Sequence, residues 1–136
     1  MIKKGLALQV RQRAGDACEY CRMPQGARRL RFPIEHIIAR QHRGKTSFDN
    51  LALSCGRCNR HKGPNLYGID PVSDRTARLY HPRNDSWDAH FQWEGAFIVG
   101  VTEIGRATIE VLQMNHPEDV AVRIELIEIG AFPPAI

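Results

Sequence analysis

No run in this 136-residue chain approaches the roughly 18 consecutive apolar residues of a membrane-spanning helix, so no such span is expected. The opening stretch MIKKGLALQVRQR has an apolar patch too short and too interrupted by charge for a signal peptide, and a cytoplasmic location is the expectation. Internal repeats and low-complexity tracts are also missing, which sets aside repeat architectures. Cysteine is scarce, at four residues, and acidic residues are scarce in one part of the chain. Residues 1–62 hold only Asp16, Glu19, Glu35 and Asp49.

What is present is ordinary globular material. Hydrophobic residues make up 43% and charged residues 25% of a length that suits one domain. The charge is unevenly placed. Against their four acids, residues 1–62 carry fourteen Lys and Arg, a balance of +10; the remainder has five against eleven, or −6, which restores the overall +4. A basic half of this kind fits a polyanion, because each phosphate neutralised releases condensed counterions. The plainer alternative is a solvated basic surface.

The apolar spacing predicts a helix over 3–14 ended by Gly15, strands over 32–38 and 51–54, and a polar, glycine-bearing loop between those strands. A short helix from Gly56 to Lys62 is stopped by Gly63-Pro64. Residues 65–87 read as loops with a short hairpin, and 90–102 as two strands about Glu94-Gly95. Thr102 can cap a helix running to Met114 and closed by Asn115; Pro117 opens another to Ile129, with acids in its first turn and Gly130 after it. The expected class is a small α+β protein, with a core over 1–64 and an extension over 65–136 packed on it. The amphipathic helices of the extension suit packing over that core or a homodimer contact.

All four cysteines fall in two Cys-x-x-Cys pairs, Cys18/Cys21 and Cys55/Cys58. Two such pairs supply four thiolates at the corners of a structural zinc; disulfides or two separate redox pairs are the alternatives. The 33 residues between Cys21 and Cys55 exceed the gap of a simple zinc ribbon, so something is inserted between the knuckles.

The insert carries Glu35-His36-Ile37-Ile38 and Asp49-Asn50-Leu51, and the second pair continues as Asn59-Arg60-His61-Lys62-Gly63. This run of CEYC, EHII, RG, DNLALSC and GRCNRHKG over residues 18–63 resembles the HNH endonucleases, specifically the zinc-stabilised members whose cysteines bracket a ββα-metal unit. The resemblance implies Cys18, Cys21, Cys55 and Cys58 as zinc ligands and His36 as general base. It also implies Glu35 and Asn59 as ligands of a catalytic Mg²⁺ or Mn²⁺, and Asn50 as the residue that orients the loop and the base. Glu35 stands where most members have Asp, and Asn59 where many have a final His. His61 is the alternative ligand, but at about 100° per helical residue it points roughly 160° away from Asn59, whereas Lys62 lies within about 60° of it. Arg40, Arg43, Lys45, Arg57, Arg60 and Lys62 are the expected DNA contacts. His42, His81, His90 and His116 are read as structural or surface residues. The implied function is metal-dependent hydrolysis of a DNA phosphodiester. The competing readings are a non-catalytic zinc-stabilised nucleic-acid-binding module and an interaction subunit docking through its acidic half.

Overall fold

The computed structural model describes residues 2–133. Helix α1 (Lys4–Ala14) buries Val10 and Ala14 and ends at Gly15, whose φ of 64° is a left-handed conformation that a residue without a Cβ adopts freely. Strands β1 (Ile34–His36) and β2 (Leu51–Leu53) pair antiparallel, with Glu35 opposite Ala52 and His36 opposite Leu51. They are shorter than the expected 32–38 and 51–54. Val10 and Ala14 of α1 share one core with Leu51 and Leu53 of β2.

The loop joining the two strands is tied at its base. The Asn50 side chain accepts from Ile38 N–H at 2.9 Å and donates to the carbonyls of Ile38 at 3.0 Å and Lys45 at 2.9 Å. Inside the loop, a Cβ on Gly44 would lie 1.6 Å from the Ile38 carbonyl oxygen, so only glycine fits there. Helix α2 (Gly56–Lys62) follows directly, with Cys55 at its N-cap and its Sγ accepting the Cys58 N–H. The strand, loop, strand, helix order therefore arises from three short local elements.

The second half holds a hairpin of β3 (Tyr67–Ile69) and β4 (Thr76–Arg78), a single turn α3 (Trp87–His90), a hairpin of β5 (Phe91–Glu94) and β6 (Phe97–Gly100), and helices α4 (Glu103–Leu112) and α5 (Pro117–Glu128). Three expectations shift. The β5–β6 turn is Gly95-Ala96 rather than Glu94-Gly95; α4 is closed by Gln113 in a left-handed conformation rather than by Asn115; and α3 fills the junction between the expected loops (65–87) and strands (90–102), taking Trp87 from the first and His90 from the second. Asn115 is instead spent across the sheet edge, its side chain bonding both the N–H and the carbonyl of Ile98. Thr102 caps α4 as expected, accepting from Gly105 N–H at 3.0 Å.

Both halves feed one apolar core. Trp87 packs on Phe91 and Trp93, Tyr80 meets Phe91 and Tyr20 edge to face, and the Trp87 indole donates to the Tyr20 carbonyl at 2.7 Å. Each fully buried ring of this kind stabilises by about 1.5–3 kcal/mol. Among the described residues no helix is long and apolar enough to cross a membrane.

Candidate active site and metal centre

Cys21 and Cys55 are 34 residues apart in the chain, and Glu19 brings their knuckles together. Its backbone N–H meets the Leu53 carbonyl at 2.9 Å, while its carboxylate accepts the Leu53 N–H at 2.9 Å and also pairs with Arg83. Leu53 lies two residues before Cys55, so this clasp sets the first knuckle beside the second. The four Sγ atoms lie within 4.8 Å of one another, all buried, and Cys21 Sγ is 3.7 Å from Cys55 Sγ. That separation is far beyond the roughly 2.05 Å of a disulfide bond. Hydrogen bonds among the thiols, first from Cys18, hold the Cys55 thiol far below its usual range.

This donor set fits a structural zinc. Four thiolates around Zn²⁺ leave two net negative charges, and the fold places a cation against them. Arg123 of α5 is fully buried and donates to the carbonyls of Ala96 at 2.7 Å and Met114 at 2.9 Å, but its Nη1 finds no hydrogen-bond partner among the described residues. Burial lowers the Arg123 pKa, and the nearby charges of Cys21, Asp119, Cys58 and Cys55 oppose that shift. A buried guanidinium with no carboxylate bonded to it is stabilised by negative charge nearby, which a tetrathiolate centre would supply.

At the other end of β1, a cleft of about 340 Å³ is lined by Ile34, Glu35, His36, Ala39, Arg40, Asn59, Gly63 and Pro64. Strand alternation sends Glu35 inward, but β1 ends at His36 and both residues border the cleft. His36 Nε2 lies 2.8 Å from Thr46 Oγ1. Partial burial lowers the His36 pKa, and the positive charges of Arg40 and Lys62 lower it further, so the neutral imidazole is favoured near pH 7.

The Glu35 carboxylate is buried and held from two sides. Tyr20 donates its hydroxyl proton to Oε1, and Lys62 Nζ lies 3.1 Å from Oε2. Burial raises the Glu35 pKa; the Lys62 charge and the Tyr20 hydrogen bond pull it back. Asn59 borders the same cleft from α2, half-buried, with no side-chain hydrogen bond to another described residue. His61 is exposed on α2 and does not line the cleft.

Four of the expected DNA contacts, Arg40, Arg43, Lys45 and Arg60, are exposed. Two are not free. Lys62 is 2% exposed, and besides Glu35 it donates to the Ile37 carbonyl at 2.8 Å. On the short α2 it shares the inward face, and its ammonium neutralises the buried Glu35 carboxylate. Arg57 pairs with Asp119 at 2.7 Å and Glu118 at 3.1 Å, at the start of α5. Acids there favour the helix dipole, and Arg57 with Arg28 docks that helix end.

Sequence reasoning missed Thr46 and Tyr20. Nothing local marks them, since their contacts to His36 and Glu35 span 10 and 15 residues.

The HNH endonuclease family model matches residues 18–65, from the first cysteine to just past α2. No curated protein and no solved structure matches the chain. The chain therefore carries an HNH domain over the segment that holds the four cysteines, Glu35, His36, Asn50 and Asn59, within an α+β fold. That domain points to a nuclease or nucleic-acid-binding role.

Proposed function

We propose that the protein is a divalent-metal-dependent endonuclease that hydrolyses DNA phosphodiester bonds at the cleft between β1 and α2. The observation that carries this reading is the meeting of Glu35, His36 and Asn59 on one cleft, next to exposed Arg40. His36 is the general base. With Nε2–H donated to Thr46 Oγ1, the Nδ1 lone pair is left to take a proton from the attacking water. Water adds to phosphorus and the bond to the 3′ oxygen breaks. Arg40 meets a non-bridging phosphate oxygen, and Asn50 keeps the loop bearing Thr46 closed on the base.

Glu35 and Asn59 would hold the Mg²⁺ or Mn²⁺. Their oxygen donors suit a hard cation, and each Glu35 oxygen keeps a lone pair beyond those used by Tyr20 and Lys62. A bound divalent ion supplies Lewis-acid stabilisation of the charge that develops on the phosphate. One cleft per chain nicks one strand, and cutting both takes two encounters or a homodimer.

One observation favours the second reading, a zinc-stabilised DNA-binding module without catalysis: both Glu35 oxygens already have protein partners. Plasmid nicking in Mg²⁺ or Mn²⁺ against an EDTA control separates the two. Activity is expected with either ion, reduced roughly 10²–10⁴-fold in His36→Ala. Asn59→Ala is expected to be inactive with unchanged zinc content, and His61→Ala close to the parent. A His61→Ala protein as inactive as His36→Ala, beside an active Asn59→Ala, would move the metal ligand to His61.

A further inference from the structure

A second and larger cleft, of about 470 Å³, opens at the other end of α2. Its walls carry five arginines, Arg28, Arg29, Arg31, Arg57 and Arg60, and one acid, Asp119. That acid is already taken by Arg28 and by Arg57 at 2.7 Å. Arg29, Arg31 and Arg60 are exposed and form no salt bridge or side-chain hydrogen bond among the described residues. Leu30, between two of them, is 84% exposed, so the crest of the Arg28–Arg31 loop stands off the body of the protein. Arg29 and Arg31 also border a neighbouring depression of about 350 Å³ that contains Arg11 and one acid, Asp16.

Like charges gathered in excess of the nearby acids repel one another in the fold and create a local potential that draws an anion. Guanidinium groups suit phosphate in particular, because their planar fork can donate two hydrogen bonds to one group. Arg60 lines this cleft, and its neighbour Asn59 lines the cleft at His36. It follows Asn59 on α2, yet its Nη1 lies 3.4 Å from where a Cβ on Gly56 would sit, so its side chain folds back toward the arginine cleft. The seven residues of α2 span about 10 Å at 1.5 Å per residue, a length over which duplex DNA presents about six phosphates.

We infer that the Arg28–Arg31 loop and Arg60 form a second phosphate-binding surface, which grips duplex DNA to one side of the position cut at His36. This rests on the endonuclease reading and adds to it where the substrate lies. The test is binding of a fluorescent 20-base-pair duplex to protein in the His36→Ala background, from 50 to 200 mM salt. Changing both Arg29→Gln and Arg31→Gln is expected to lower affinity at 50 mM by at least about tenfold and to flatten the log–log salt dependence by about two. The charge-keeping pair Arg29→Lys and Arg31→Lys is expected to hold most of the slope. In the glutamine pair, phosphate-ethylation interference should vanish on one side of the cut only. Thermal unfolding should not move, since neither side chain has a partner among the described residues. An unchanged slope and affinity in the glutamine pair overturns the inference, as does a lysine pair whose salt slope flattens as much as that of the glutamine pair. Failure of the parent to bind duplex at all would instead bring down the endonuclease reading, whereas a parent that binds and nicks beside an unaffected double variant removes only the second surface.

Discussion

Cations serve different ends in the two parts of the chain. After residue 62 all five arginines are used inside the fold: Arg75 with Glu103, Arg78 with Asp85, Arg83 with Glu19, Arg106 with Asp70, and Arg123 with backbone carbonyls beside the thiols. Before it, Arg29, Arg31, Arg40, Arg43, Lys45 and Arg60 stand exposed without an acidic partner among the described residues, while Arg28, Arg57 and Lys62 are paired inward. A net charge of +10 therefore overstates the binding surface, and the cations that can meet phosphate are a subset chosen by packing. A charge count locates the basic half; only the partners of each side chain separate a strut from a ligand contact.

The most severe test removes the metal centre, whose four cysteines all lie in the first part. Cys55→Ser is expected to lose the zinc and unfold, because structural Zn²⁺ contributes roughly 10–16 kcal/mol of apparent binding free energy to folding. Circular dichroism and elemental analysis check this, and a folded, zinc-free, reduced protein would contradict it.

Next in size is Lys62→Met. It leaves the Glu35 carboxylate buried without its cation and is expected to cost about 3–5 kcal/mol in urea unfolding. Adding Glu35→Gln should recover a large part of that loss. Were Lys62 a surface contact for DNA, the single change would leave stability intact.

A matched pair of variants then sets strut against ligand contact directly. Arg123→Met strips donors from buried carbonyls and should cost about 1–3 kcal/mol, with little change in the salt slope of DNA binding. Arg40→Gln with Arg43→Gln should do the reverse: stability within about 0.5 kcal/mol of the parent, and a salt slope flatter by about one for each phosphate these two arginines neutralise. Equal stability costs in the two variants would erase the distinction.

The smallest effect concerns His36. Its folded pKa is lowered, so between that value and the ordinary 6.5 the unfolded chain binds more protons. Its contribution to stability is complete above the ordinary value and is lost as pH falls through the lowered one. A neutral base follows the same direction. The acid limb of kcat/KM should fall below the usual histidine range, and Arg40→Gln, which removes one depressing charge, should move it upward. An acid limb that stays put or moves down in that variant would separate His36 from Arg40.

Much of this was legible in the chain because it is local. A Cys-x-x-Cys pair is a turn of fixed geometry, Gly63 and Pro117 mark helix ends through their own backbone limits, and Thr102 meets the Gly105 N–H only three residues on. The bounds of α2 followed from such signals. The β5–β6 turn slipped by one residue and the end of α4 by two, the latter because Asn115 closes on Ile98 rather than on its own helix. The helical projection of α2 placed Asn59 and Lys62 on one side. It left open which of them reaches solvent, since that depends on where a separate strand sets Glu35.

The zinc knuckles, the order of strand, loop, strand and helix, and the concentration of positive charge around them were all written in the chain. Each depends on residue type at short range or on simple counting. Folding in three dimensions was needed to bring Tyr20 and Lys62 onto Glu35, Thr46 to His36, Arg57 to the start of α5, and Arg123 into burial against the thiols. Those contacts join residues from 10 to about 100 positions apart. Each such contact must offset the cost of taking its polar or charged groups out of water, and no local pattern records which partner will be there.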